Sequence, residues 1–87
     1  MDISKIKAHQ AVYANGPGGL AGASEVHIGN VEKVEGDKYV KMINITTPDH
    51  QTHWFPIEWI RTVDEQAVFL NKKLDEALAG LMNEAPN

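Results

Sequence analysis

The sequence contains no cysteine. Disulfides, thiolate nucleophiles and sulfur-ligated zinc or iron–sulfur centres are therefore excluded, and the absence agrees with a reducing compartment. A basic stripe is missing as well: eight Lys and Arg stand against twelve Asp and Glu, a formal net charge of −4. Affinity for nucleic acid or an anionic membrane comes largely from clustered cations that release counterions, so neither is expected as a partner. Nowhere do eighteen apolar residues run together, and Met1–Lys5 shows neither a basic flank ahead of an apolar run nor a small-residue cleavage site. The expectation is a soluble, cytoplasmic protein with no membrane span. Aromatic residues are scarce, at 7%, so each large ring weighs heavily in either the core or a contact surface.

What remains is 87 residues, 43% of them apolar, the size of one domain covering 1–87. A chain this small has a stability of about 4–13 kcal/mol, with little to spare for a strained active site.

Ile3 and Ile6, with Ser4 as an N-cap, predict a helical turn or a plain lead-in. Gln10–Ala14 reads as a strand with Val12 and Ala14 on one face and Ala11 and Tyr13 on the other. The turn-formers from Asn15 to Gly19 end it and open a loop that runs to Ser24. Glu25–Glu35 is a strand whose phase shifts at Gly29-Asn30, the signature of a bulge or bend. After a Gly36-Asp37 turn, Lys38–Thr46 reads as a strand with a second phase change, since Val40 and Met42 share one face while Ile43 and Ile45 share the other. Pro56, which has no N–H, makes the apolar run His53–Val63 an edge strand or splits it in two. Gln66–Asn71 is the last strand. Short strands at this spacing predict a mainly β fold, a small all-β barrel or sandwich reaching to about residue 73, and the two phase changes favour a curled, partly closed sheet over a flat one.

From there the period changes. Leu74, Ala77, Leu78, Leu81, Met82 and Ala85 form one helical stripe, which predicts a C-terminal amphipathic α-helix over about 72–85, capped by Asn71 and ended by Pro86. Gly80 weakens it by about 1 kcal/mol relative to alanine. A helix this short needs a surface on which to bury its stripe, either its own barrel or a second copy.

Asp49, His50 and His53 form the one local cluster suited to a metal ion, with His27 as a further ligand. Positions 50 and 53 face opposite sides of a strand, so only a turn brings them together; the plainer reading is a polar loop entering a strand. The glycine-rich stretch from Asn15 to Gly22 lacks the Gly-Lys-Ser/Thr ending of a phosphate loop. The carboxylates fall at turns or outward strand positions, and Ser24 has no nucleophile-elbow context. No catalytic residue, cofactor or enzymatic activity is expected. Trp54 and Phe55 point to opposite faces of their strand, and at least one of Trp54 and Trp59 is expected in the core. The expected contact residues are Trp54, Leu74, Leu78, Leu81 and Met82.

The run His27–Asp37 (HIGNVEKVEGD) resembles the I/V-G-x-V-x-x-V hallmark of PRC-barrel domains. The array HW-x-P-x-EWI-x-x-V-D over His53–Asp64, followed by Val68-x-Leu70-Asn71-Lys72, is similar to a PRC-barrel-like family of small stand-alone bacterial proteins of unknown function. The resemblance covers roughly Ile3 to Lys73. It implies a small antiparallel β-barrel of SH3-like size that acts as a binding or assembly module, with no catalytic residues to carry over. The chain departs from that pattern in its long Asn15–Ser24 tip and its regular helical tail. The expected function is a non-enzymatic binding module engaging a protein partner or a second copy, as a homodimer through the C-terminal helix. The alternative is a metal-binding or metal-sensing protein using Asp49, His50 and His53. A more remote reading, RNA association by analogy with the PRC-type domain of a ribosome-maturation factor, is opposed by the acidic balance.

Overall fold

The period-two apolar runs become six strands: β1 (Ala11–Asn15), β2 (Glu25–Glu35), β3 (Tyr39–Asn44), β4 (Thr52–Pro56), β5 (Ile60–Val63) and β6 (Ala67–Lys73). Among the described residues one α-helix, α1 (Leu74–Gly80), follows β6 directly. The computed structural model describes residues 3–16 and 25–84. The strands form one sheet in the order β4-β3-β2-β1-β6-β5. β1 to β4 are antiparallel neighbours in chain order, β6 runs parallel to β1, and β5 returns antiparallel to β6.

The fold is therefore mainly β, as expected, but the sheet is mixed and is not closed into a barrel. The two edge strands, β4 and β5, are consecutive in the chain, and the residues that would have to pair them are diverted. Pro56 has no N–H to donate, and Ile57–Trp59 winds into a 3₁₀ turn between the two strands. Pro56 thus both ends an edge strand and splits the apolar run. The C-terminal segment meets the residues beside this seam: Trp59 lies against Gly80, and Met82 forms a β-bridge to Trp54.

The phase change in β2 is a bulge. Val12 pairs with Gly29 and Tyr13 with His27, leaving Ile28 as the extra residue, and both Ile28 and Gly29 are buried. Glycine is required at position 29 by close approach: a Cβ there would overlap the Ile43 carbonyl oxygen and come within 2.7 Å of Met42 Cγ and Sδ. The second phase change expected in β3 is absent. Val40 and Met42 face inward and Ile43 the other way, as expected, but burial alternates strictly along Tyr39–Asn44, with Asn44 pointing inward at 4% exposure. The second irregularity sits in the partner strand instead, at Glu32, between the pairs Val31–Met42 and Lys33–Lys41. Asn44 tolerates burial because its Oδ1 accepts from Thr46 N–H at 2.8 Å and from the Thr46 hydroxyl at 2.6 Å. Gly36 and Asp37 both adopt left-handed φ, 60° and 56°, in the turn that joins β2 to β3.

The helix is shorter than its stripe suggested. It spans Leu74–Gly80, and Leu81 is already extended, with ψ 137°. Pairing with the β4 edge draws the chain out of helical geometry just where Gly80 weakens it. Met82 is therefore a bridging residue outside the helix. Asn71 does not cap α1; it belongs to β6, and its Nδ2 donates to the Glu58 carbonyl at 3.1 Å. Lys73 stands at the cap position, its N–H donating to Glu76 Oε1 at 3.1 Å. Ser4 lies within a 3₁₀ turn, Ile3–Lys5, instead of preceding one. Asn15 closes β1 and Gly16 is buried. The rest of the expected tip, 17–24, together with Ala85 and Pro86, lies outside the described residues.

All six strands and α1 contribute to one core. Phe55, Ile28, Met42 and Leu70 are its largest fully buried side chains, Ile60 enters from β5, and Ala77 from α1. The expected core tryptophan is absent from the fully buried set. Trp59 is half-buried, stacked on Phe55 with ring centroids 6.1 Å apart, and packs against the rim of the core.

Candidate binding surface

Gln10, which sequence reasoning passed over, fixes one end of the sheet. It is 3% exposed. Its Oε1 accepts from Lys7 N–H at 2.7 Å, while its Nε2 donates to the carbonyls of Lys5 and Asp64, each at 2.8 Å. The segment before β1 is thereby tied to the β5–β6 turn, whose Asp64 Oδ1 accepts from the N–H groups of Gln66 and Ala67. Every polar atom of this buried amide is engaged internally, so its role is architectural.

The residues singled out for metal chemistry are spread over a loop and a strand. Asp49 Oδ1 accepts from the Thr47 hydroxyl at 2.7 Å. His50 is exposed, with a left-handed φ of 47°. His53 sits in β4 opposite Met42, half-buried, its Nδ1 without a hydrogen-bond partner among the described residues. His27 is occupied elsewhere: its Nε2 lies 2.8 Å from the Gly29 carbonyl and 3.0 Å from Asn30 Oδ1, two acceptors that place the ring proton on this nitrogen. Among the described residues, no three His, Asp or Glu side chains converge as a metal-binding group.

His27 also begins a row of rings across the solvent-facing side of the sheet. Its centroid is 5.3 Å from that of Tyr13, and Tyr13 stacks on Phe69 at 5.4 Å and 15°. The Arg61 guanidinium lies 5.8 Å over Phe69 and pairs with Glu25 at 3.3 Å. Such cross-strand contacts stabilise a sheet by tenths of a kcal/mol to about 1 kcal/mol each.

The expected contact residues divide into three settings. Trp54 faces away from the core while Phe55 is fully buried, which is the opposition expected of neighbours on a strand. The indole of Trp54 lies under the Lys41 ammonium, 5.7 Å from it, and its Nε1 is buried without a hydrogen-bond partner among the described residues. Glu32 accepts from Lys41 at 2.9 Å, and that hydrogen bond, above all, holds the ammonium above the usual lysine value. Leu74 and Leu81 are half-buried against the core, so they serve the fold first. Leu78 is different. It is the exposed large hydrophobic residue among those described, at 37%.

Leu78 opens onto a groove of about 420 Å³ lined by Asn15, Gly16, Lys73, Leu74, Asp75 and Leu78. The end of β1 forms one wall and the start of α1 the other, because parallel pairing brings Asn15 beside Lys73. Sequence reasoning found Leu74 and Leu78 through their helical spacing. It missed Asn15, Gly16, Lys73 and Asp75, whose meeting depends on a β1–β6 ladder that no local pattern encodes.

A family model described as an uncharacterized protein conserved in bacteria, DUF2171, matches residues 19–78. The chain belongs to this family. The match takes in β2 to β6 and most of α1, so the wall of the groove built by Lys73, Leu74, Asp75 and Leu78 lies within the family's shared region. Family membership brings no activity with it, since the family is itself uncharacterized. No curated protein and no solved structure matches the chain. Among the described residues, no helix is long and apolar enough to cross a membrane.

Proposed function

We propose that this member of the DUF2171 family is a non-enzymatic binding or assembly module, a relative of the PRC-barrel domains with an open sheet, that self-associates through the face around α1. The observation that carries the reading is Leu78, a large apolar side chain left exposed beside a groove that it lines together with Leu74. A lone exposed leucine is ordinary on a protein surface. One that borders a concave, largely apolar groove is the arrangement found where a partner side chain is received. The HIGNVEKVEGD run in β2 supports the PRC-type relation, because its glycine stands at the bulge that bends the sheet.

Leu78→Asp tests the reading, since Leu78 stands outside the buried core cluster. Light scattering and sedimentation at high micromolar concentration are expected to give a dimer for the natural sequence and a monomer for the variant, with unchanged circular dichroism. A monomeric natural protein under those conditions refutes self-association through this face.

A further inference from the structure

We propose that the free edge of β4 is a docking site for an extended peptide segment of a protein partner, and that the chain's own Leu81–Glu84 fills part of that site until displaced. The inference rests on the reading of the protein as a protein-binding module, but it uses a different surface from the Leu78 groove.

The orientation of the β4 backbone follows from the ends of its ladder with β3. Asn44 N–H donates to the Gln51 carbonyl at 2.8 Å, and Ile57 N–H donates to the Lys38 carbonyl at 2.9 Å. Antiparallel pairs alternate between bonded and non-bonded, so Thr52, Trp54 and Pro56 turn their backbone groups away from β3. Trp54 finds its partner there in Met82: its N–H donates to the Met82 carbonyl and its carbonyl accepts from Met82 N–H, both at 2.9 Å. Among the described residues, no backbone hydrogen bond on this side reaches the Thr52 N–H or the Thr52 carbonyl, while the Pro56 carbonyl, at the N-cap of the 3₁₀ turn Ile57–Trp59, is taken up by that turn.

The occupant already seated on this edge defines what fits it. Leu81 leaves α1 in an extended conformation, and Met82 places a half-buried apolar side chain beside Trp54. A partner strand in the same orientation, with an apolar residue at the Met82 position, would keep both Trp54 bonds and add those to the Thr52 N–H and carbonyl. Strand addition of this kind draws affinity from the main chain and selectivity from alternate side chains. The tail holds its place by being tethered, which gives it an effective concentration of the order of millimolar.

Two measurements on the full chain test this. In hydrogen exchange, the Trp54 amide is expected to exchange at least tenfold faster than that of Phe55, which faces β3; equal protection overturns the proposal. Met82→Pro removes the N–H that reaches the Trp54 carbonyl and frees the edge. A fluorescent synthetic peptide carrying residues 81–87 is expected to bind this variant at least tenfold more tightly than the natural chain, with amide shifts centred on Thr52–Pro56. No gain in binding by a folded variant, or unfolding of the variant, overturns the proposal. Leu78→Asp is expected to leave peptide binding by Met82→Pro unchanged, so a failure at the groove and a failure at the edge are read separately.

Discussion

Gly80→Ala sets two physical effects against each other. Within a helix the change is worth about 0.8–1 kcal/mol in favour of alanine, so helical propensity alone predicts a more stable protein. The structure predicts the reverse. An alanine Cβ at this position would lie 2.8 Å from Trp59 Cη2 and 3.0 Å from Cζ2, inside the roughly 3.5–4.0 Å of a normal carbon contact. The indole has little room to give way: it stacks on Phe55, which is fully buried, and carries the Lys72 ammonium 5.7 Å from its ring. Overpacking of this kind costs about 1–3 kcal/mol. Set against the propensity gain, the net is a loss of about 1 kcal/mol, or roughly 4–8 °C in melting temperature for a domain of this size. Urea unfolding followed by far-ultraviolet circular dichroism measures it. The decisive comparison repeats Gly80→Ala in a Trp59→Leu background, where the clash is gone and alanine should stabilise; the difference between backgrounds is the coupling between the two positions. A Gly80→Ala protein that gains stability with Trp59 in place refutes the reasoning.

Two further outcomes follow from polar contacts. Gln10→Ala leaves the Lys7 N–H and the Lys5 and Asp64 carbonyls without their partner and should cost about 2–3 kcal/mol in urea unfolding; Gln10→Glu should cost more at neutral pH, because it sets a carboxylate against two carbonyl oxygens. The hydrogen bond to Glu32 raises the Lys41 pKa, so its contribution to stability is complete below the ordinary lysine value and disappears as pH climbs through the raised one. Glu32→Gln should lower the Lys41 midpoint in an NMR titration, and an unchanged midpoint contradicts this assignment.

Local chemistry was legible in the sequence, and the connection between distant segments was not. The bounds of β2, the bend at Gly29, the break at Pro56 and the opposition of Trp54 and Phe55 all follow from residue types a few positions apart. The inward turn of Asn44 was not legible, because a polar amide gives no apolar signal and its burial is made inexpensive by Thr46 two residues on. The helical stripe beyond Gly80 misled because Met82 has a competing offer, the backbone edge of β4, nearly thirty positions earlier in the chain. Leu74 and Leu78 could be named from their spacing; the facing wall of their groove could not, since Asn15 and Lys73 meet only through a parallel ladder.

That parallel ladder also constrains the order in which the molecule is assembled. β1 to β4 form an uninterrupted meander whose partners leave the ribosome in sequence, and β5 and β6 form a hairpin of their own. The two pieces join only where Ala11–Asn15 meets Ala67–Lys73, a closure across more than fifty residues that ranks among the slow, non-local steps of folding. Until β6 has been synthesised, one edge of β1 stands bare in the middle of the future sheet. The nascent chain is exposed to mispairing at that edge for most of its synthesis.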